Sequence, residues 1–597
     1  MKKFKQIIYL LSKNEKKSAV QLFLMILIMA TLDVAGVASI LPFVAVLSNP
    51  AAIETSNFIS SLYNFSNNFG INSNTEFLFF LGIIFFLLLL LSLSFKAFTI
   101  YVQLRFITMR EYSLSRNLIE GYVRQPYSWF LNRNSAELGK NILTEVDFVV
   151  SQGLKSLIDL ISYGVLTIFL LIVLILIKPM LAIMIGITFI FAYGAIFSLT
   201  GKFLKRIGKE RGIANRKRFS LVNEVFGGIK ELKVSGLEES YASRFEEPAK
   251  IFASHKASSH VLALIPRYAI EAFVFGGLIL VIIFYVLKIG SFNDIVPTVA
   301  LYAFVGYRLM PSLQQVYAAI SRLRFVGPEL EKIFDDFKII KSNSIKSDKY
   351  NLTFKKEVNL KGLIYNYPNS KLSALKNIKL NIVKNKKIGI VGKTGSGKTT
   401  LVDIILGLLE PQQGTVEVDG VVLNRDNIRS WQRSLGYIPQ DVYLADDTIA
   451  NNIAFGVDPI NIDKDMVIYC AKVANIHEFI INELPLGYET MSGENGVRLS
   501  GGQCQRIAIA RALYNKPKIL ILDEATSALD NETEKIVMEA LENLSKDITL
   551  IMIAHRMSTV RNCDKIFLLE KGTIKAEGSY DELIVSSQKF KAFTEIN

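Results

Sequence analysis

The chain of 597 residues has little cysteine, histidine or tryptophan: 3, 4 and 2 residues. Cys470, Cys504 and Cys563 all lie toward the carboxyl end. They are too few for the disulfide framework of a small secreted fold and read as buried or inert thiols. His255, His260, His477 and His555 show no metal-ligand spacing on one face, so they build no metal site. Charge is also missing, but locally. It thins out in long stretches before residue 325 and becomes regular after residue 350. That pattern excludes one uniform soluble globule, a charged disordered tail and a fibrous repeat. A cleaved leader is not expected either, because the first apolar run, Val20–Leu47, exceeds a leader's apolar region of about 7–15 residues.

The charge-poor stretches are long enough to cross a bilayer. About 20 apolar residues span a hydrocarbon core of about 30 Å. Val20–Leu47, Phe77–Tyr101, Ser156–Ile177, Met180–Thr200, Val261–Leu287 and Ile295–Ala319 meet that length, the last two with internal Arg and Glu residues. Basic residues set the orientation. Lys2, Lys3, Lys5, Lys13, Lys16 and Lys17 precede the first span. Arg110, Arg116, Arg124, Arg133 and Lys140 lie between spans two and three, and the segment between spans four and five is rich in Lys and Arg. Ser48–Glu76 has neither Lys nor Arg. Both termini and both long loops are therefore expected in the cytoplasm. The same bias accounts for the net charge of +14 without a nucleic-acid partner.

Phe4, Ile7, Ile8 and Leu11 recur at helical spacing between lysines, as in a helix lying on an anionic inner leaflet. Phe58, Ile59, Leu62, Tyr63 and Phe65 give the first outer loop an apolar face, for packing or for lipid. Within the spans, Asp33, Lys96, Arg267, Glu271 and Arg308 are costly at membrane depth and should face protein or water. Arg267 and Glu271 are four apart and can pair with each other. Lys96, Arg267 and Arg308 are the candidate substrate residues. Arg308 leads, because thirteen helical residues from Ile295 place it roughly 20 Å into its span.

After a polar connector, residues 326–350, short β-branched runs alternate with helical patterns over residues 351–597, as in an α/β domain. The strand-like Lys387–Val391 feeds into Gly392-Lys393-Thr394-Gly395-Ser396-Gly397-Lys398-Thr399, and a helical pattern follows from Thr400. This is a phosphate loop in strand–loop–helix context. Its glycines let backbone N–H groups close on phosphates at a helix N-terminus, Lys398 reaches the β/γ-phosphates, and Thr399 binds Mg²⁺. Ile519-Leu520-Ile521-Leu522 is a buried-strand run ending in Asp523 and Glu524. Asp523 suits a Mg²⁺ partner, and Glu524 suits a general base for the attacking water.

These residues carry a resemblance. Leu499-Ser500-Gly501-Gly502-Gln503 is similar to the signature of ATP-binding cassette proteins, and Gln440, closing Gly436-Tyr437-Ile438-Pro439-Gln440, resembles their Q-loop glutamine. Ser527-Ala528-Leu529-Asp530 resembles the D-loop, His555 after Thr549–Ala554 the switch histidine, Tyr367 the adenine-stacking aromatic, and Gly493–Gly496 the exporter X-loop. The chain is thereby identified as a member of the ABC exporters. The resemblance implies an α-helical six-span membrane domain, residues 1–325, followed by an α/β P-loop ATP-binding cassette domain, with ATP and Mg²⁺ as cofactors. It further implies that Glu524, His555 and Gln440 are catalytic. Tyr367, Gly392–Thr400 (Lys393, Thr394, Gly395, Ser396, Gly397, Lys398, Thr399 and Thr400 included), Ser500, Gly501, Gly502 and Gln503 would bind nucleotide. Thr399, Gln440 and Asp523 would meet Mg²⁺. ATP would sit between one chain's phosphate loop and a second chain's signature, so a homodimer is the simplest assembly. The segments around Gln125–Phe130 and Glu224–Glu231 resemble exporter coupling regions. The membrane half also resembles PglK-type flippases at Ile265–Glu271 and Tyr307–Ser312, which implies a lipid-linked oligosaccharide substrate in the bacterial inner membrane. Lipid A, drugs or peptides are the alternatives within the same layout, and an ATP-gated channel is the rival class.

Overall fold

The computed structural model describes residues 2–48, 50–68, 70–71, 73–177, 179–289, 296–343, 352–368, 370, 372–524, 530–544, 547–554 and 557–596. The chain divides into two compact units, 1–125 with 132–344, and 126–131 with 345–597.

The first unit is helical. Its elements are α1 (Lys2–Leu10), α2 (Lys13–Ala38), α3 (Ile40–Ser48), α4 (Ala52–Thr55), α5 (Asn57–Asn67) and α6 (Asn74–Val123). After α7 (Tyr127–Phe130), which belongs to the second unit, come α8 (Ser135–Lys140), α9 (Val146–Val149), α10 (Lys155–Ile177), α11 (Pro179–Gly227), α12 (Ile229–Ser235), α13 (Glu238–Ile289) and α14 (Val296–Asn343). Among the described residues three helices are long and apolar enough to cross a membrane: Lys13–Gly36, Asn74–Val123 and Ser135–Leu176. Ser73 starts α6 with a capping box, its hydroxyl accepting from the Glu76 amide at 3.2 Å while Glu76 accepts from the Ser73 amide. The expected first span is broken. Pro42 has no N–H to donate and its ring crowds the carbonyl four residues back, at Ala38, where α2 ends.

Two other expectations are corrected. Residues 326–343, read as a polar connector, continue α14, because Val326, Leu330, Ile333 and Phe337 form one buried stripe at helical spacing. The face of α1 is also different. Ile7 and Leu10 are buried beneath it, while Phe4 is exposed. On α5, Ile59 packs in a core with Phe77 and Leu81, as the packing alternative expects, while Phe58 and Phe65 are exposed.

Helix α11 meets α14 closely because it is notched. A Cβ at Gly208 would strike the Phe325 carbonyl, and one at Gly212 would strike the Glu329 carboxylate. Beside this seam lies a buried ionic cluster. Glu145 accepts from Arg211 at 2.7 Å and from Asn215 at 2.7 Å, with the Lys140 ammonium at 3.5 Å. The Arg211 guanidinium also covers the Phe148 ring at 3.6 Å. Residues 141–145 and 150–154 form π-helical turns, wider than α, and Glu145 of the cluster ends the first of them. Arg211→Ala should therefore destabilise the protein by about 3–5 kcal/mol, because it takes the nearest cation from a buried carboxylate and leaves it Asn215 and the more distant Lys140 ammonium. Thermal unfolding in detergent checks this, and adding Glu145→Gln should recover part of the loss.

The second unit holds two sheets. Its strands are β1 (Glu357–Tyr365), β2 (Leu375–Val383), β3 (Lys387–Val391), β4 (Gln413–Val418), β5 (Val421–Val422), β6 (Leu435–Ile438), β7 (Ile519–Asp523), β8 (Thr549–Ala554), β9 (Lys565–Glu570) and β10 (Thr573–Gly578). One sheet, β2-β1-β4-β5, is antiparallel. The other runs β10-β9-β3-β8-β7-β6, parallel throughout except at β9–β10. Helices α15 (Lys398–Ile405), α16 (Ile428–Gln432), α17 (Ile449–Ile453), α18 (Lys464–Val473), α19 (His477–Asn482), α20 (Gly501–Tyr514), α21 (Asn531–Leu544), α22 (Met557–Val560), α23 (Tyr580–Ser586) and α24 (Gln588–Ile596) complete it. β7 and β8 are buried along their whole length, which is why they read as unbroken apolar runs.

Candidate nucleotide site

Parallel strands leave their carboxyl ends on one edge of a sheet, where α/β folds bind ligands. Here the neighbours β3, β8, β7 and β6 deliver, in that order, the phosphate loop, the position before His555, Asp523 with Glu524, and Gln440. One topology thus gathers motifs more than 160 residues apart in sequence.

The phosphate loop closes through glycine. Gly395 and Gly397 have φ of 76° and 105°, which side chains with a Cβ avoid. A Cβ at Gly397 would also come within 2.7 Å of the Ala374 carbonyl. Lys398 bends back to donate to the carbonyls of Gly392 at 2.8 Å and Lys393 at 3.3 Å. Burial lowers its pKa, against the pull of Glu524 and Asp523. Among the described residues the buried Ser396 hydroxyl has no hydrogen-bond partner. An orphan donor and an ammonium turned onto the loop carbonyls fit a polyphosphate. Thr399 is exposed at the start of α15, while Thr400 is buried and its hydroxyl lies 3.1 Å from that of Tyr367. Tyr367 also meets Tyr365 edge-on at 5.2 Å, leaving a half-buried ring beside the loop.

Asp523 and Glu524 part at the end of β7. Asp523 stays buried and accepts from the Tyr437 hydroxyl at 3.4 Å. Glu524 turns into the left-handed region, φ 52°, with its amide donating to the Ile553 carbonyl at 3.1 Å. Such a conformation is uncommon outside glycine, and here it aims one carboxylate away from the other. Gln440 donates to Glu524 at 2.9 Å, so the two predicted catalytic side chains are in contact. Mg²⁺, when bound with ATP, supplies charge neutralisation to the phosphates. Thr399, Asp523 and Gln440 are the oxygen-bearing side chains on this edge that would hold it. His555 and the D-loop residues Ser527, Ala528 and Leu529 lie outside the described residues. Asp530 caps α21 through the Thr533 amide at 2.9 Å.

The signature forms the N-terminus of α20. Ser500 accepts from the Gln503 amide at 3.2 Å and donates its own amide to the Gln503 side chain at 2.7 Å, a capping box. Ser500 and Gly501 are exposed there, so the positive end of a 14-residue helix opens to an anion. Gly493, φ 75°, and Gly496, φ 73°, bend the preceding X-loop segment.

Two members of the site were not singled out from sequence. Tyr437 orients Asp523 from the strand that leads to Gln440. Asp403, a lone acid in the apolar run of α15, is pushed up to about 6 by burial and by Asp523. The segment Pro126–Leu131 joins this unit, with the Tyr127 ring near enough to Asp403 and Tyr367 for its phenol to be raised by burial and by both. In the first unit, Lys96 is paired with Asp33 at 3.5 Å, and Asp33 also accepts from Ser92 at 3.2 Å. Arg267 pairs with Glu271 at 2.6 Å, as the four-residue spacing implies. Arg308 is on α14, and its side chain lies outside the described residues.

The chain is similar to known proteins over most of its length. The ABC transporter family profile matches residues 375–527, and that of the ABC transporter transmembrane region matches residues 38–306. The ATP-dependent lipid A-core flippase of Saccharophagus degradans is 30% identical over 472 residues, 79% of each chain. ABC transporter B family member 29, chloroplastic, of Arabidopsis thaliana is 34% identical over 386 residues, 64% of this chain and 60% of that one. The solved structure of a bacterial Atm1-family ABC exporter with ATP bound superposes with a TM-score of 0.79, covering 97% of this chain and 98% of the other at 22% identity.

Proposed function

The chain belongs to the ABC transporter family, with one helical membrane domain ahead of one ATP-binding cassette, and from that premise we propose that two copies pair to flip a polyprenyl-diphosphate-linked oligosaccharide across the bacterial inner membrane. ATP hydrolysis drives the movement, with Glu524 as general base and Gln440 and His555 completing the site. Both termini face the cytoplasm on this reading.

The observation that carries the anionic headgroup is the set of ionisable side chains on the membrane helices. Lys96 is a quarter exposed beside Asp33, and Arg322 is a quarter exposed with its Asp159 partner no closer than 3.9 Å. Cations at or near membrane depth are costly unless they meet an anion or water. Asp33 and Asp159 already stand beside these two, and a diphosphate would add a second anion, to which Arg308, with Arg267 as a weaker second, would donate through a planar fork. Pairing of two chains is supported by α20, whose exposed N-terminus awaits a phosphate. It is also supported by the second coupling segment, where Phe226 and Ile229 are exposed apolar residues suited to the partner's cassette.

A second reading, transport of a lipid A-type glycolipid, is favoured by the likeness to the lipid A-core flippase. Drug or peptide export shares the same layout, whereas a gated channel would not need an intact Glu524. A reconstituted flipping assay separates them. Selective ATP-dependent flipping of the diphosphate oligosaccharide lipid is expected over lipid A and a hydrophobic drug. Arg308→Gln should abolish most of that flipping and Arg308→Lys less, both with basal ATPase retained. Wild-type flipping by Arg308→Gln would remove the headgroup role, and transport of lipid A or drug alone would replace the substrate.

A further inference from the structure

The amino-terminal corner of the first unit carries an open cleft, formed by Phe4, Lys5, Ile8 and Tyr9 of α1 and Lys16 of α2. One side of α1 is fastened to protein. Ile7 and Leu10 are buried, Tyr9 meets Phe334 edge-on at 5.0 Å, and Lys3 donates to the Leu323 carbonyl at 2.6 Å. The other side is open: Phe4 is 45% exposed, and Lys5 and Lys16 stand in solvent.

Charge at this cleft is of one sign. Lys3 is committed to α14, and burial lowers its pKa to about 8, so it does not serve the rim. Glu15, the acid next to Lys16, is taken up by Arg110 and by the Ser12 amide at 2.7 Å. No acid among the described residues lines the cleft. What remains is two ammonium groups flanking an apolar floor.

Position decides what such a surface meets. The apolar run of α2 begins at Val20, four residues beyond Lys16 and about 6 Å along the helix. Lys16 would therefore stand at headgroup height, and Lys5, Phe4 and Ile8 share its cleft. We infer that this corner is a binding site for one anionic phospholipid per chain, its phosphate held between Lys5 and Lys16 and an acyl chain laid on Phe4, Ile8 and Tyr9. The bound lipid would fasten α1 to α2, and the site is independent of the transported substrate.

Delipidated transporter in detergent, mixed with equal phosphatidylglycerol and phosphatidylcholine, tests this by native mass spectrometry. The wild-type protein should retain phosphatidylglycerol in preference. Lys5→Gln with Lys16→Gln should weaken that retention by roughly 25-fold, about fivefold for each ammonium removed, and should leave phosphatidylcholine unchanged. Lys5→Arg with Lys16→Arg should keep it. Phe4→Ser, with both lysines intact, should also weaken it, which separates a lipid from a free phosphate. Equal retention of the two lipids by wild-type protein, or an unchanged phosphatidylglycerol count in the double Gln variant, overturns the site. Loss in the Gln variant with no effect of Phe4→Ser makes it a phosphate site and overturns the lipid.

Discussion

Glu524→Gln is expected to bind ATP as tightly as the wild-type protein and to release phosphate at least about 100-fold more slowly. The substitution changes one charged oxygen to an amide and little else. The side chain keeps its length, the backbone at φ 52° keeps its amide bond to the Ile553 carbonyl, and the amide oxygen can still accept from Gln440. What is lost is the ability to take a proton from the attacking water. Affinity should survive because the contacts that would hold the phosphates, the loop amides, Lys398 and Thr399, are on other elements. Phosphate release and equilibrium nucleotide binding, measured on the same purified preparation, separate the two effects. Turnover within a few-fold of wild type would move the base elsewhere, and a parallel loss of binding would make Glu524 a ligand of the nucleotide or its metal.

The chemistry at this edge of the sheet was largely legible in sequence because its parts are local. A strand, a glycine loop and a helix start follow one another without interruption from Lys387 to Ile405, and Asp523 closes an unbroken apolar strand. Their assembly is also implied, since parallel strands must present their carboxyl ends together. Other features depend on partners far along the chain. Lys96 looks like a free cation in its own span, and only the packing of α2 on α6 brings Asp33 to it from 63 residues away. The cluster of Lys140, Glu145, Arg211 and Asn215 draws on two segments, each of which reads alone as a polar loop or a basic helix. Residues 326–343 misled by composition. Their lysines and aspartates hide a stripe whose apolar members, four and three apart, are visible only when counted at helical period. Asp403 lacked any motif. Its significance comes from the neighbour Asp523, contributed by a strand 120 residues later.

Lys398→Ala and Ser500→Arg chains, each inactive alone, should regain about a quarter of wild-type ATPase when mixed in equal amounts. Each homodimer loses both of its sites, one by removing the phosphate-loop ammonium and the other by placing a bulky cation over the open end of α20. Activity of either alone is expected at or below about one hundredth of wild type, the scale of deleting a transition-state donor. Random pairing makes half of the dimers mixed. In each of those, one site takes its phosphate loop from the Ser500→Arg chain and its signature from the Lys398→Ala chain, and both of these are intact. The other site carries both lesions. The structural basis is the capping box of Ser500 with Gln503, which fixes the first turn of α20. On the proposed pairing its exposed N-terminus would be a half-site that a second chain completes. Two affinity tags on the two chains would allow the mixed dimer to be isolated before assay. No recovery in that isolated species would exclude a site shared between chains, and so would full activity from a demonstrated monomer.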